Sequence, residues 1–140
     1  MDSVSPEVRS RIMGSVRSKD TLPEMRVRRI FHALGLRFRL HRSELPGSPD
    51  LTLRKWRTVV FVHGCFWHRH RGCPNTRTPK SRVDFWEGKF RQNVIRDQRN
   101  RRDLRRAGWK VIVVWECEVS NERRLIRKIQ KAFEGSNAVS

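Results

Sequence analysis

The chain is short of acid, short of cysteine and without a long apolar run, and each shortage removes a class of protein. No stretch reaches the ~18 consecutive apolar residues of a membrane span, and the charged-then-apolar start of a secretory signal is missing. An intracellular protein with no membrane partner is expected. Three cysteines cannot all pair with one another, and in a reducing compartment a Cys/His cluster points to a metal site ahead of a disulfide framework. Asp and Glu number 14 against 32 Lys and Arg, giving a formal charge of +18. The surplus is spread along the chain instead of sitting in a tail, so a polyanion is the natural partner. With 140 residues and neither an internal repeat nor a linker, one domain over 1–140 with one core is expected.

What the chain does have is concentrated in residues 61–73, Phe-Val-His-Gly-Cys-Phe-Trp-His-Arg-His-Arg-Gly-Cys, which hold three of the 5 histidines and two of the 3 cysteines. The β-branched run from Thr58 to Val62 reads as a buried strand. The polar residues after it therefore lie where a strand gives way to a loop, a common place for a site.

The flanking elements follow from capping and periodicity. Ser5-Pro6 opens a short helix with Val8, Ile12 and Val16 on one face and Arg9, Arg11, Arg17 and Lys19 on the other, so residues 1–20 are expected to form a DNA-contacting helix. Thr21-Leu-Pro-Glu24 matches a capping box, and Val27, Ile30, Phe31 and Leu34 trace a second helix that stops at Gly35. Leu36 to Leu40 alternates apolar and basic residues as a half-wet strand does. The turn Leu45-Pro-Gly-Ser-Pro49 delivers Asp50 to a second strand, Leu51 to Leu53, and Thr58 to His63 forms the third. Ser81-Arg-Val-Asp84 opens a long helix to about Ala107 with Phe90, Val94 and Leu104 inward, ended by Gly108. Trp109 to Trp115 is the most apolar strand and is expected at the centre of the sheet. Ser120 caps a last helix through Leu125, Ile129 and Phe133, and residues 135–140 read as a frayed tail. This order predicts an α/β domain with a mixed sheet flanked by helices.

Ligand chemistry divides the central cluster. Zinc takes thiolate and imidazole in a closed set of four at structural sites. Cys65, Cys73 and Cys117 supply three, and of His68 and His70 the second closes the loop with less strain, four residues after Cys65 and two before Cys73 counted as gaps. The plain alternative is three unrelated buried thiols. His63 and His68 are then left over. With Asp50 at another strand end, they suit metal-assisted hydrolysis of a phosphodiester: the carboxylate holds a hard divalent cation such as Mg²⁺, and a histidine takes the proton of the attacking water.

These residues carry a family likeness. Pro49-Asp50, Phe61-Val-His-Gly-Cys-Phe-Trp-His68, Phe85-Trp86, Lys89, Asn93-Val94, Arg96-Asp97, Gly108-Trp109 and Val114-Trp-Glu-Cys117 resemble the Vsr very-short-patch-repair endonucleases of bacteria, in one order over about residues 8–117. The resemblance implies a restriction-endonuclease-like core, a structural Zn²⁺, and a Mg²⁺-dependent nick 5′ to the thymine of a T:G mismatch left by deamination of 5-methylcytosine. It also implies roles. Asp50 and the carbonyl of Val62 bind Mg²⁺. His68 is the general base, oriented by Asp97, while His63 and Glu24 hold metal-bound water. Zn²⁺ sits on Cys65, His70, Cys73 and Cys117. Phe66, Trp67 and Trp86 wedge between base pairs, Lys89 and Asn93 read base edges, and Met13 presses from the other groove. Arg69 and Arg71-Gly72 around His70 give this zinc loop a composition of its own.

The implied partner is double-stranded DNA with a T:G mismatch, met by a monomer in the bacterial cytoplasm at the nucleoid. Two competitors share most features: a non-catalytic, zinc-containing module for distorted duplexes, and a general nicking nuclease of the same fold. Whichever holds, the charge predicts non-specific duplex binding that weakens steeply as salt rises from about 50 to 200 mM. A binding titration that stays flat across that range contradicts it.

Overall fold

The structure is a computed structural model that describes residues 21–74, 76 and 80–134. The expected first helix, with Met13, and the expected tail at 135–140 lie outside the described residues. The elements are helix α1 (Leu22–Ala33), strands β1 (Arg39–Leu40), β2 (Leu51–Leu53) and β3 (Thr58–His63), the four-residue helix α2 (Cys65–His68), the long helix α3 (Val83–Arg106), strand β4 (Lys110–Trp115), the short helix α4 (Glu116–Val119) and helix α5 (Glu122–Phe133).

The sheet is mixed. Its order is β1-β2-β3-β4, with β2 antiparallel to both β1 and β3, and β4 parallel to β3 from Thr58↔Lys110 to His63↔Trp115. A parallel neighbour needs a long crossover, and α3 supplies it. Period-two alternation sorts the strand residues onto two faces. Val60, Ile112 and Val114 pack with Leu51, Leu53, Val27, Ile30, Phe31, Leu125 and Ile129 under α1 and α5. Val59 and Phe61 pack with Val111, Val113 and the fully buried Leu104 under α3.

Several expectations need correction. Trp109 to Trp115 is not central: β4 is an edge of the described sheet, and its apolar character comes from having helices against both faces. The strand foreseen over Leu36 to Leu40 shrinks to Arg39–Leu40, because Leu36 and Phe38 pack against the core from irregular backbone. The last helix is capped by Asn121, whose side chain accepts from the Arg124 N–H at 3.2 Å, and not by Ser120. The long helix starts after Arg82 in left-handed conformation, with no side-chain cap, so Ser81 does not open it. At its other end Gly108, at φ +91°, lets Trp109 N–H return to Leu104 O at 3.0 Å before the chain enters β4.

Leu104 joins the crossover helix to the sheet face below it. Leu104→Ala is expected to destabilise the fold by about 3 kcal/mol, read as a lower midpoint with unchanged slope in urea unfolding.

Candidate active site and metal cluster

The turn that ends β1 and the start of β2 bring Asp50 to the rim of a cleft of about 500 Å³ lined also by His41, Val62, His63, His68 and Asp97. Asp50 is held by its Oδ2, which accepts from the Val62 N–H at 2.6 Å. The turn itself leans on α3. Gly47 stands at φ +76°, and a Cβ there would lie 2.8 Å from Asn100 Nδ2, so the close approach requires glycine. Sequence, turn and helix thus fix the carboxylate opposite the side chains of α2 and α3.

Across the cleft, His68 Nδ1 lies 2.6 Å from Asp97 Oδ2. A carboxylate only accepts, so the proton is on Nδ1 and the Nε2 lone pair is left for a proton transfer. His63 stacks on His68, ring centroids 3.9 Å apart and 6° from parallel. Burial, then the neighbouring His68, push the His63 pKa down to about 3, so this imidazole stays neutral through the working range. Its Nδ1 is buried with no hydrogen-bond partner among the described residues.

Further charge lies beside Asp50. Glu24 is 3% exposed. The Thr21 hydroxyl accepts from the Glu24 N–H at 3.3 Å, as the capping box requires, while the Glu24 carboxylate meets Arg28 at 3.3 Å and His41 at 3.6 Å. Ligand atoms of Glu24, His41 and Asp50 all lie within 4.8 Å of one another. Desolvation raises the Asp50 pKa from 3.8 to about 7, and the charge of Glu24 adds to it. A largely buried carboxylate with a second one beside it makes a donor set that fits a hard divalent cation.

Cys65, His70, Cys73 and Cys117 form the other cluster, ligand atoms again within 4.8 Å. His70 Nδ1 faces Cys117 Sγ at 3.3 Å and Cys65 Sγ at 3.7 Å, near the edge lengths of about 3.5–3.8 Å that a zinc tetrahedron has. Burial pushes the Cys65 thiol up to about 12 and raises Cys117 as well. Thiols that resist ionisation, gathered round an imidazole nitrogen, are the arrangement a soft cation deprotonates and binds.

The short helix α2 and the start of α3 carry an aromatic group. Phe66 lies edge-on to Trp67 and to Phe90, at 5.1 Å in each case, and Trp86 stacks on Phe90 at 5.8 Å. All but Phe90 are half-buried. Lys89 Nζ sits 5.5 Å over the Trp67 ring. Asn93, expected to read a base edge, is buried, its amide donating to Trp67 O at 3.1 Å and accepting from Arg96. In this structure it supports the aromatic loop from beneath. Arg69 also turns inward, with its guanidinium 4.1 Å over Phe90.

The sequence reading overlooked His41, Arg28, Asn100 and Arg101. A signal for His41 existed: the hairpin registers Leu40 against Leu51, so residue 41 falls opposite Asp50, and His41 N–H reaches Asp50 O at 3.4 Å. Arg28 is one helical turn after Glu24, and Asn100 and Arg101 one turn after Asp97, all hidden among the many basic and polar residues of two helices.

The raised Asp50 pKa has a sign. Because the folded value lies above 3.8, the stability it contributes is complete at lower pH and lost as pH rises through about 7. In metal-free protein Asp50→Asn is therefore expected to stabilise by on the order of 2 kcal/mol at pH 8 and by little at pH 4. Thermal unfolding at the two pH values reads this; equal effects at both would refute it.

With fold and geometry in hand, the chain can be placed among known proteins. A family model described as DNA mismatch endonuclease Vsr matches residues 1–74. A protein of Xanthomonas oryzae pv. oryzae called type II nicking enzyme V.XorIIP is 48% identical over 135 residues, covering 96% of this chain and 98% of its own length. The DNA mismatch endonuclease Vsr of Escherichia coli K12 is 39% identical over 117 residues, 84% of this chain and 74% of that protein. Among solved structures, the catalytic domain of the homing endonuclease I-Bth0305I superposes with a TM-score of 0.55 at 19% identity, over 81% of this chain and 95% of that one. The mixed sheet between helices is thus restriction-endonuclease-like. Family and fold agree, and the chain is a DNA endonuclease belonging to the Vsr family.

Proposed function

We infer that the protein nicks DNA on the 5′ side of the thymine in a T:G mismatch, of the kind left when 5-methylcytosine deaminates, and so begins very short patch repair. It would do so in the bacterial cytoplasm, at the nucleoid. The observation that supports this most is that Asp50 and the His68–Asp97 pair line one cleft, while Phe66 and Trp67 are the two residues immediately before His68. A hydrolytic centre and an aromatic wedge share one element. The Escherichia coli relative is named for mismatches and the Xanthomonas relative for nicking; a nick at a mismatch reconciles both. No helix among the described residues is long and apolar enough to cross a membrane.

Asp50 and the main-chain carbonyl of Val62 are the residues assigned to Mg²⁺, which when bound neutralises the charge that grows on the phosphate oxygens. The remaining chemistry belongs to side chains. His68 takes a proton at Nε2 from a water as its oxygen attacks phosphorus; the bond from phosphorus to one sugar oxygen breaks, and that oxygen leaves and takes a proton from solvent. Asp97, on Nδ1, fixes the tautomer and stabilises the imidazolium that results. His63 and Glu24 hold solvent in the cleft. Cys65, His70, Cys73 and Cys117 would hold a structural Zn²⁺, which would pin the loop that carries the base. Phe66, Trp67 and Trp86 enter the stack beside the mispair, where unstacking costs less than at a paired step. Lys89 and Met13 are assigned to the same DNA face. One nick needs one centre, so a monomer suffices.

The test is nicking of end-labelled T:G and fully paired duplexes in Mg²⁺. Wild type is expected to cut the mismatched strand alone, His68→Ala to lose about 10²-fold or more, and Asp50→Ala to be inactive. Equal cutting of paired DNA would make it a general nicking nuclease. Unchanged nicking by both variants would remove these residues from catalysis, and no nicking on any mismatch would leave a binding module.

A further inference from the structure

Arg101 lines the catalytic cleft together with His63, His68 and Asp97. It stands one helical turn after Asp97, on the stripe of α3 that also carries the buried Asn93 and Leu104. The other arginines of that helix, Arg91, Arg96, Arg99, Arg102, Arg105 and Arg106, are exposed, whereas Arg101 is half-buried. A guanidinium drawn out of water needs a partner, because it cannot shed its charge. By spacing that partner should be Asp97, yet Asp97 turns its Oδ2 to His68 at 2.6 Å. Among the described residues no carboxylate forms an ion pair with Arg101 and no group accepts a hydrogen bond from it.

We propose that Arg101 grips a non-bridging oxygen of the phosphate that is cut, and is a further catalytic residue of this cleft. The inference rests on the hydrolysis assigned above to His68. An anion is the partner that the side chain lacks, and the planar fork of a guanidinium matches the oxygens of a phosphate. Placement on α3 matters. The helix holds Asp97, which orients the base, and Arg101 one turn on, about 6 Å further along the axis, so base and anion grip keep a fixed separation. As water adds and the sugar oxygen leaves, negative charge gathers on the oxygens around phosphorus. A positive charge already fixed in a half-buried wall stabilises that state more than it would in open water. The exposed arginines of α3 contribute only the general attraction of a basic surface for DNA.

The experiment uses the zinc-loaded full chain, Arg101→Met, which keeps the apolar stem, and Arg101→Lys, which keeps the charge. Single-turnover nicking of a T:G duplex in Mg²⁺ is expected to slow by about 10²-fold in Arg101→Met and to recover in part in Arg101→Lys. Binding is then measured without Mg²⁺ on duplexes with either a phosphodiester or a neutral methylphosphonate at the cut linkage. Wild type is expected to lose about 10-fold in affinity on neutralisation, and Arg101→Met to bind the two duplexes alike. Each protein serves as its own control, so a loss of folded material does not imitate this result. Equal nicking rates in wild type and Arg101→Met would overturn the proposal, as would a methylphosphonate penalty that is absent from wild type or equally large in Arg101→Met. Wild type that cuts paired DNA equally overturns the mismatch reading alone, and the same comparison on that duplex decides for or against Arg101. Wild type that nicks no duplex removes the hydrolysis, and this proposal with it.

Discussion

The structure depends first on the pairing of β3 with β4. Their parallel register ends at His63↔Trp115, and both strands then turn into four-residue helices at the same level. Cys65 and Cys117 each stand two residues beyond that last pair, which is why thiols 52 positions apart in sequence both meet His70 Nδ1. The same strand end sets His63 beside His68 and, on its other side, brings the Val62 N–H to Asp50. A slip of one residue would send every side chain of β3 to the opposite face and dissolve both clusters at once.

Stability and chemistry pull against each other in the cleft. Asp50 and Glu24 are carboxylates taken out of water beside one another, and His63 is an imidazole kept from charging by burial. Each would be replaced by something neutral or apolar if folding were the only constraint. The hydrophobic packing on both faces of the sheet, from Val27 and Ile129 on one side to Leu104 on the other, carries the fold past these unfavourable groups.

Much of this was legible in the sequence, because local rules and ligand chemistry act over short distances. The cap at Thr21, the turn before Asp50, the strand Thr58–His63 and the ligand spacing from Cys65 to Cys73 all express themselves within a few residues. What escaped depends on neighbours distant in the chain. That β4 lies at an edge follows from which strand pairs with which, a matter its own apolar run does not encode. Asn93 looks like a polar residue on an exposed helix face until Trp67 O is found above it. Arg28 and His41 are ordinary alone and acquire meaning only when the hairpin and α1 meet at Glu24.

Helix α2 is one turn long, and it carries Phe66, Trp67 and His68 in succession between Gly64 and the left-handed Arg69. So short a rod has no internal joint. In the proposed reaction, the depth to which the rings slide into the double helix and the reach of the imidazole toward the sugar–phosphate strand are one motion. On that proposal, a stack that will not part would leave the proton acceptor standing off its target, and undamaged DNA would be spared by mechanics before any base is read.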